Sequence, residues 1–119
     1  MFVNCTNHRV ENWSERQLEE ARKYGDIVEV PFPNVSSNLC AKEVREIAYR
    51  LVEDIVELSP KAVMCQGEFT LTYSIVNELK KRDITVVAAC SERRAVESMR
   101  EDGTCEKKSI FEFVQFREY

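Results

Sequence analysis

Three polar clusters hold the residues whose types and spacing could do chemistry. Asn4, Thr6, Asn7 and His8 stand in NCTNH, directly after the apolar opening FV. Gln66, Gly67, Glu68, Thr70 and Thr72 stand in QGEFTLT, between the apolar KAVMC and the helix-patterned TYSIVNELKKR. Ser91, Glu92, Arg93 and Arg94 follow ITVVAAC. His8 is the chain's single histidine and sits in a polar loop, where it either meets a ligand as acid or base or is a solvated loop histidine. Arg93 and Arg94 can place a guanidinium fork on a phosphate, with the other arginine pairing with an acid such as Glu92 or Glu97. In the middle cluster Gly67 permits a close backbone approach. A helix starting in EFTLTY would aim free N–H groups and its positive end at an anion, with Thr70 or Thr72 adding a hydroxyl. The competing reading is an ordinary tight strand-to-helix turn capped by a threonine. Glu68 opposes an anion there unless it points away or caps the helix.

The rest of the composition narrows the field. Five cysteines, Cys5, Cys40, Cys65, Cys90 and Cys105, are an odd number with no CxxC pair, which fits neither a zinc ribbon nor a disulfide framework. Cys5, Cys65 and Cys90 each close an apolar run and read as reduced core thiols. A thiol enzyme on Cys65 or Cys90 lacks a histidine in the same segment. No metal-ligand cluster is visible, and no cofactor motif: QGEFT has neither the three glycines of a dinucleotide fingerprint nor the GK[ST] of a P-loop. With 17 Lys and Arg against 21 Asp and Glu, the formal charge of −4 excludes a general basic field for long nucleic acid, while leaving room for a small anion held by local donors. MFVNCTNHRVENW has too short an apolar run for a signal peptide, and no stretch approaches the roughly 20 apolar residues of a membrane span. A cytoplasmic protein without membrane contact is expected.

The elements that must position these clusters follow from periodicity. FVNC, DIVEV, KAVMC and DITVVAAC read as short strands, continuously apolar rather than alternating, as strands buried on both faces are. PFPN ends the second strand, because prolines cannot extend a ladder. Ser14 with Gln17 forms a capping-box pattern ahead of a helix carrying Leu18 and Ala21, stopped by Gly25. AKEVREIAYRLVEDIVEL places Val44, Ile47, Ala48, Leu51, Val52, Ile55 and Val56 at spacings of three and four and predicts the longest helix. LTYSIVNELKKR predicts another, with Ile75, Val76 and Leu79 inward. Strands alternating with helices imply one α/β domain with a mainly parallel, Rossmann-like sheet and helices on both faces. Its strand ends would gather the three clusters, since ligands of such sheets bind outside the strands' carboxyl ends. Asp102-Gly103 followed by SIFEFVQF predicts a C-terminal β-hairpin, against the alternative of a helix over RAVESMRE and one edge strand.

The TNH loop, the segment QGEFTLTYSIVNELKKRDI followed by VVAACSERR, and the ending FEFVQFREY together resemble a group of small stand-alone CRISPR-associated proteins, nearly end to end. These are similar to the CARF domain, a Rossmann-like dimeric module that binds cyclic oligoadenylate second messengers. The resemblance implies ligand contacts from Asn4 to His8 and from Gln66 to Thr72. CARF turns usually read Gly-Gly-Thr-Lys, whereas this chain has QGEFT. Related ring nucleases open the messenger without a metal, using its ribose 2′-hydroxyl as nucleophile, which would make Arg93 or Arg94 the stabiliser of charge and His8 or Thr6 the positioner. Partners implied are a cyclic oligoadenylate and a second copy of the chain in a homodimer. The alternatives are a binding module without chemistry and a protein-interaction subunit that uses Phe111, Phe113, Phe116 and Tyr119.

Overall fold

In the computed structural model, which describes residues 1–119, the four apolar runs lie side by side in one sheet. β1 (Phe2–Cys5) pairs in parallel with β2 (Ile27–Glu29) on one side and with β3 (Ala62–Cys65) on the other. β4 (Thr85–Met99) runs parallel to β3, and β5 (Cys105–Glu118) is antiparallel to β4. The spatial order is β2-β1-β3-β4-β5, a mixed α/β fold. Every residue of β1 and β3 is buried, as continuous apolar runs demand. Val3, Val63 and Val86 lie in the core, while Val28 on the edge strand is half-buried.

Three helices cover the sheet. α2 (Ala41–Glu57) and α3 (Phe69–Lys81) pack with Val3, Cys5, Val63, Cys65 and Val86 on one face. α1 (Glu15–Arg22) supplies Ala21 to the other face, where Phe2, Ala62, Met64 and Val87 meet Trp13. Phe2 is the centre of that second layer, with ring centroids 6.2 Å from Trp13, 5.6 Å from Tyr24 and 5.1 Å from Phe116. Ser14 caps α1 by accepting from the Gln17 amide at 3.2 Å, but the reciprocal half of the box is absent. The Gln17 carboxamide turns inward, with Nε2 3.8 Å from Met64 Sδ. α2 carries a box the sequence reading overlooked, in which Glu43 Oε1 accepts from the Cys40 amide at 3.0 Å. Cys5 and Cys65 are direct neighbours on β1 and β3 and fully buried, as core thiols would be. The neighbouring Cys5 thiol first, then burial, pushes the Cys65 thiol well above the ordinary thiol range.

The last third settles in favour of the hairpin. RAVESMRE is not helical: β4 continues through it to Met99, turns at Asp102-Gly103, where Gly103 has φ +85°, and returns as β5. A register shift falls between Cys90 and Ser91, the signature of a bulge. Beyond it the two strands leave the body as a ribbon. The radius of gyration is 17.2 Å, against about 13.5 Å for a compact chain of this length. Because both ribbon faces meet water, charges occupy both. Arg94 bonds Glu112 at 3.0 Å and Glu97 lies 3.7 Å from Lys107.

Candidate functional site

The connection after β1 leads to β2 on one side, and the connection after β2 leads to β3 on the other. The crevice outside the carboxyl ends of β1 and β3 is therefore the switch point of the sheet. A groove of two adjoining lobes opens there, about 540 and 560 Å³ in volume. Both lobes are lined by His8, Gln17, Ser91 and Phe111. One adds Thr6, Asn7, Met64, Gln66, Gly67 and Ala89, and the other adds Asn12, Trp13, Ser14, Arg16, Glu112 and Phe113. The structure thus brings together six of the residues chosen from sequence, Thr6, Asn7, His8, Gln66, Gly67 and Ser91.

The first loop is built by its own side chains. Asn4, buried at the end of β1, donates from Nδ2 to the His8 carbonyl at 3.0 Å and accepts the Thr6 hydroxyl at 2.7 Å. Thr6 Oγ1 in turn accepts from the His8 amide at 3.1 Å, and Trp13 Nε1 donates to the His8 carbonyl at 2.9 Å. Asn4 was expected to meet ligand, but both ends of its amide are spent on this loop. The result is a fixed backbone at residue 8 with an exposed imidazole at the groove.

At the end of β3 the geometry departs further from the anion seat. Gln66 Oε1 accepts from the Ala89 amide at 2.8 Å and Nε2 donates to the Ala89 carbonyl at 3.4 Å, so the side chain extends the β3–β4 ladder by one rung. Tyr119 adds a second tie, its hydroxyl donating to the Cys65 carbonyl at 2.6 Å. Burial first, then Cys65 and Cys90, raises the Tyr119 phenol above its ordinary value. Glu68 is the N-cap of α3: its carboxylate accepts from the Thr70 amide at 3.0 Å, the Leu71 amide at 2.9 Å and the Thr70 hydroxyl. The Thr70 amide, then that of Leu71, then the Thr70 hydroxyl hold Glu68 below the usual carboxylate range. The helix end is filled by the chain's own anion, which corrects the expectation of a phosphate seat at Glu68, Thr70 and Thr72. None of those three lines either lobe, and Thr72 Oγ1 is buried without a partner. Gly67 has an internal reason as well. A Cβ there would stand 2.5 Å from Phe32 Cε1 and Cζ.

Arg93 and Arg94 do not sit in a loop at a strand end, because β4 does not end at Cys90. Both lie in the ribbon, outside the groove lining, with Arg93 Nε donating to Ser109 Oγ at 3.1 Å and Arg94 paired with Glu112. The register sets Arg93 against Phe111, so those two share a face, and Arg94 points the other way. Arg93 thus stands on the Phe111 face, Arg94 is tied to Glu112 of the lobe wall, and Arg16 is the arginine that lines the groove itself.

Two residues that matter here escaped the sequence reading. Gln17 fits a capping-box pattern in the sequence, yet it is 5% exposed, lines both lobes and has only the Met64 thioether as side-chain partner. Phe111, 74% exposed, belongs by sequence to an aromatic strand suited to an interface, yet it lines both lobes. A glutamine on the inward face of a helix was the available signal for the first. Nothing local marks the second. No three His, Cys, Asp or Glu side chains come together as a metal site, and no helix is long and apolar enough to cross a membrane.

Fold and groove define an α/β protein with a polar, aromatic-edged crevice at the switch point of its sheet. Over residues 1–117 the sequence matches the model of the Uncharacterized protein MJ1673 family, and the chain belongs to that family. No curated protein and no solved structure matches it.

Proposed function

We propose that this is a Rossmann-like, CARF-like module that binds an adenine nucleotide, in the form of a cyclic oligoadenylate, in the groove at the carboxyl ends of β1, β3 and the sheet portion of β4. The observation that carries the reading is Gln17. A buried carboxamide whose one side-chain bond is a 3.8 Å contact with sulfur has donor and acceptor capacity unspent, and it borders the groove. Glutamine pairs two-pronged with adenine N6 and N7. The exposed ring of Phe111 offers a face on which a base stacks, worth about 1–3 kcal/mol per base. Asn7, His8 and Ser91 add hydrogen-bonding groups, and Arg16 and Arg93 are the nearby cations. The closed helix end at Glu68 argues for a ligand held by its bases more than by its phosphates. Ring opening, the further step the CARF resemblance implies, would have the ribose 2′-hydroxyl attack the adjacent phosphorus and the 5′-oxygen leave with a proton. His8, exposed at the groove, would move that proton.

The test is calorimetry with cyclic tetra-adenylate and hexa-adenylate, with AMP and GMP as base controls, followed by chromatography of the nucleotide. Binding of a ring is expected, weakened roughly tenfold or more by Gln17→Leu, Phe111→Ala or Arg93→Ala, with Arg94→Ala close to wild type. Wild-type protein that takes no ring of either size sinks the proposal and leaves the interaction-subunit reading ahead. His8→Ala that binds normally but no longer opens a ring would assign it to the chemical step.

A further inference from the structure

Beyond the bulge the β4–β5 ribbon has two strands and, past its root at Phe113, no layer behind it; its outer edges along β4 and β5 are both free, and only the β5 edge can join two copies into a single continuous sheet. A lone two-stranded ribbon is marginal in water, and a long free edge is a template for another strand. Ile110 and Phe111 on β5 are 40% and 74% exposed. We infer that the free edge of β5 pairs with the same edge of a second copy, antiparallel, about a two-fold axis at Ile110, to make one continuous ten-stranded sheet.

The register follows from hydrogen bonds and charge. The Arg100 amide donates to the Thr104 carbonyl at 2.8 Å, so Arg100 and Thr104 are a bonded pair. Bonded and non-bonded pairs alternate along an antiparallel ladder, so Glu106, Lys108, Ile110 and Glu112 face β4 with their backbone groups. Cys105, Lys107, Ser109 and Phe111 turn theirs outward and are free to bond a new strand. A two-fold axis perpendicular to the sheet leaves every side chain on its own face, so it must pass beside a residue opposed to itself. Centred on Lys108, it sets lysine against lysine; on Glu112, glutamate against glutamate. Centred on Ser109, it sets Glu106 against Glu112 twice. Centred on Phe111, it sets Glu112 against Ile110 and forms no ion pair. Centred on Ile110, it sets Lys108 against Glu112 twice and Ile110 against itself in a non-bonded pair, where side chains approach most closely. Arg94, already 3.0 Å from Glu112, joins the same charged row. This register also brings the partner's Lys107 opposite Phe113, a residue of the groove wall, adding a cation beside each groove. The pairing itself does not depend on what the groove binds.

Sedimentation velocity at tens of micromolar, without ligand, should find wild-type dimers. Lys108→Glu and Glu112→Lys should each raise the dimer dissociation constant about tenfold or more, because each places like charges opposite one another twice. Mixed together they should recover a dimer, since each then meets the opposite charge. In a Cys40→Ser, Cys105→Ser background, Ile110→Cys should give a covalent dimer on mild oxidation while Ser109→Cys should not. A monomeric wild type, a Lys108→Glu protein that dimerises as tightly as wild type, a mixture that stays monomeric, or cross-linking at position 109 rather than 110 would each overturn the inference.

Discussion

Gly67 offers the sharpest test of whether the β3–α3 turn is shaped by a ligand or by the protein itself. In Gly67→Ala the new methyl would fall 2.5 Å from Phe32 Cε1 and Cζ and 2.7 Å from Cδ1. Such distances require displacement of the ring, and Phe32 is only 5% exposed, packed in the cluster of α2 and α3. Overpacking of this kind costs about 1–3 kcal/mol. Phe32→Leu removes the atoms that collide and alone costs about 1–2 kcal/mol as a large-to-small core change. Were the two independent, the double variant would lose roughly 2–5 kcal/mol. Because the methyl enters the space the ring vacates, the double variant should instead match Phe32→Leu to within about 0.5 kcal/mol, a coupling of about 1–3 kcal/mol. Urea unfolding followed by tryptophan fluorescence and circular dichroism gives all four corners of the cycle. A Gly67→Ala protein as stable as wild type, or strict additivity, would refute the packing explanation and return Gly67 to the ligand.

Two further outcomes follow from the same end of the sheet. Asn4→Ala should cost about 1–3 kcal/mol by removing the acceptor of the buried Thr6 hydroxyl and one donor to the His8 carbonyl, which keeps Trp13 Nε1, and hydrogen exchange should show the His8 amide losing protection. Glu68 titrates below its ordinary value of 4.5 when folded, so its stabilising effect is full above that pH and is lost as pH falls through the depressed value. Wild type should therefore lose protection of the Thr70 and Leu71 amides on acidification, whereas Glu68→Gln, with its carboxylate gone, should show weaker protection at neutral pH and little change on acidification. An identical pH profile in both proteins would remove Glu68 from that role.

How far the sequence carried depended on whether a pattern had a buried face to report on. α2, with its apolar residues at spacings of three and four, was legible almost to the residue, and so were β1 and β3, buried on both sides. β4 was legible only to Cys90, because beyond it the strand is wet on both faces and SERRAVESM has no alternation to read. That single loss displaced Arg93 and Arg94 from strand end to ribbon. The loop after β1 was located correctly but its economy was not, since the sequence cannot say that Asn4 spends its amide inward. Gln17 was hidden for a related reason: a residue that fits a capping pattern gives no sign that its side chain has gone elsewhere.

The bulge between Cys90 and Ser91 joins a part of β4 held in a five-stranded sheet to a part held only by β5. One unbroken strand therefore acts as a lever whose pivot is at the groove wall, beside Ser91. The eight residue-to-residue steps of strand from Ser91 to Met99 span about 26 Å, so a tilt of about 10° at the pivot swings the tip by about 4–5 Å. By the same geometry, a shift of a fraction of an ångström at Ser91 would be magnified severalfold at the far end of the arm.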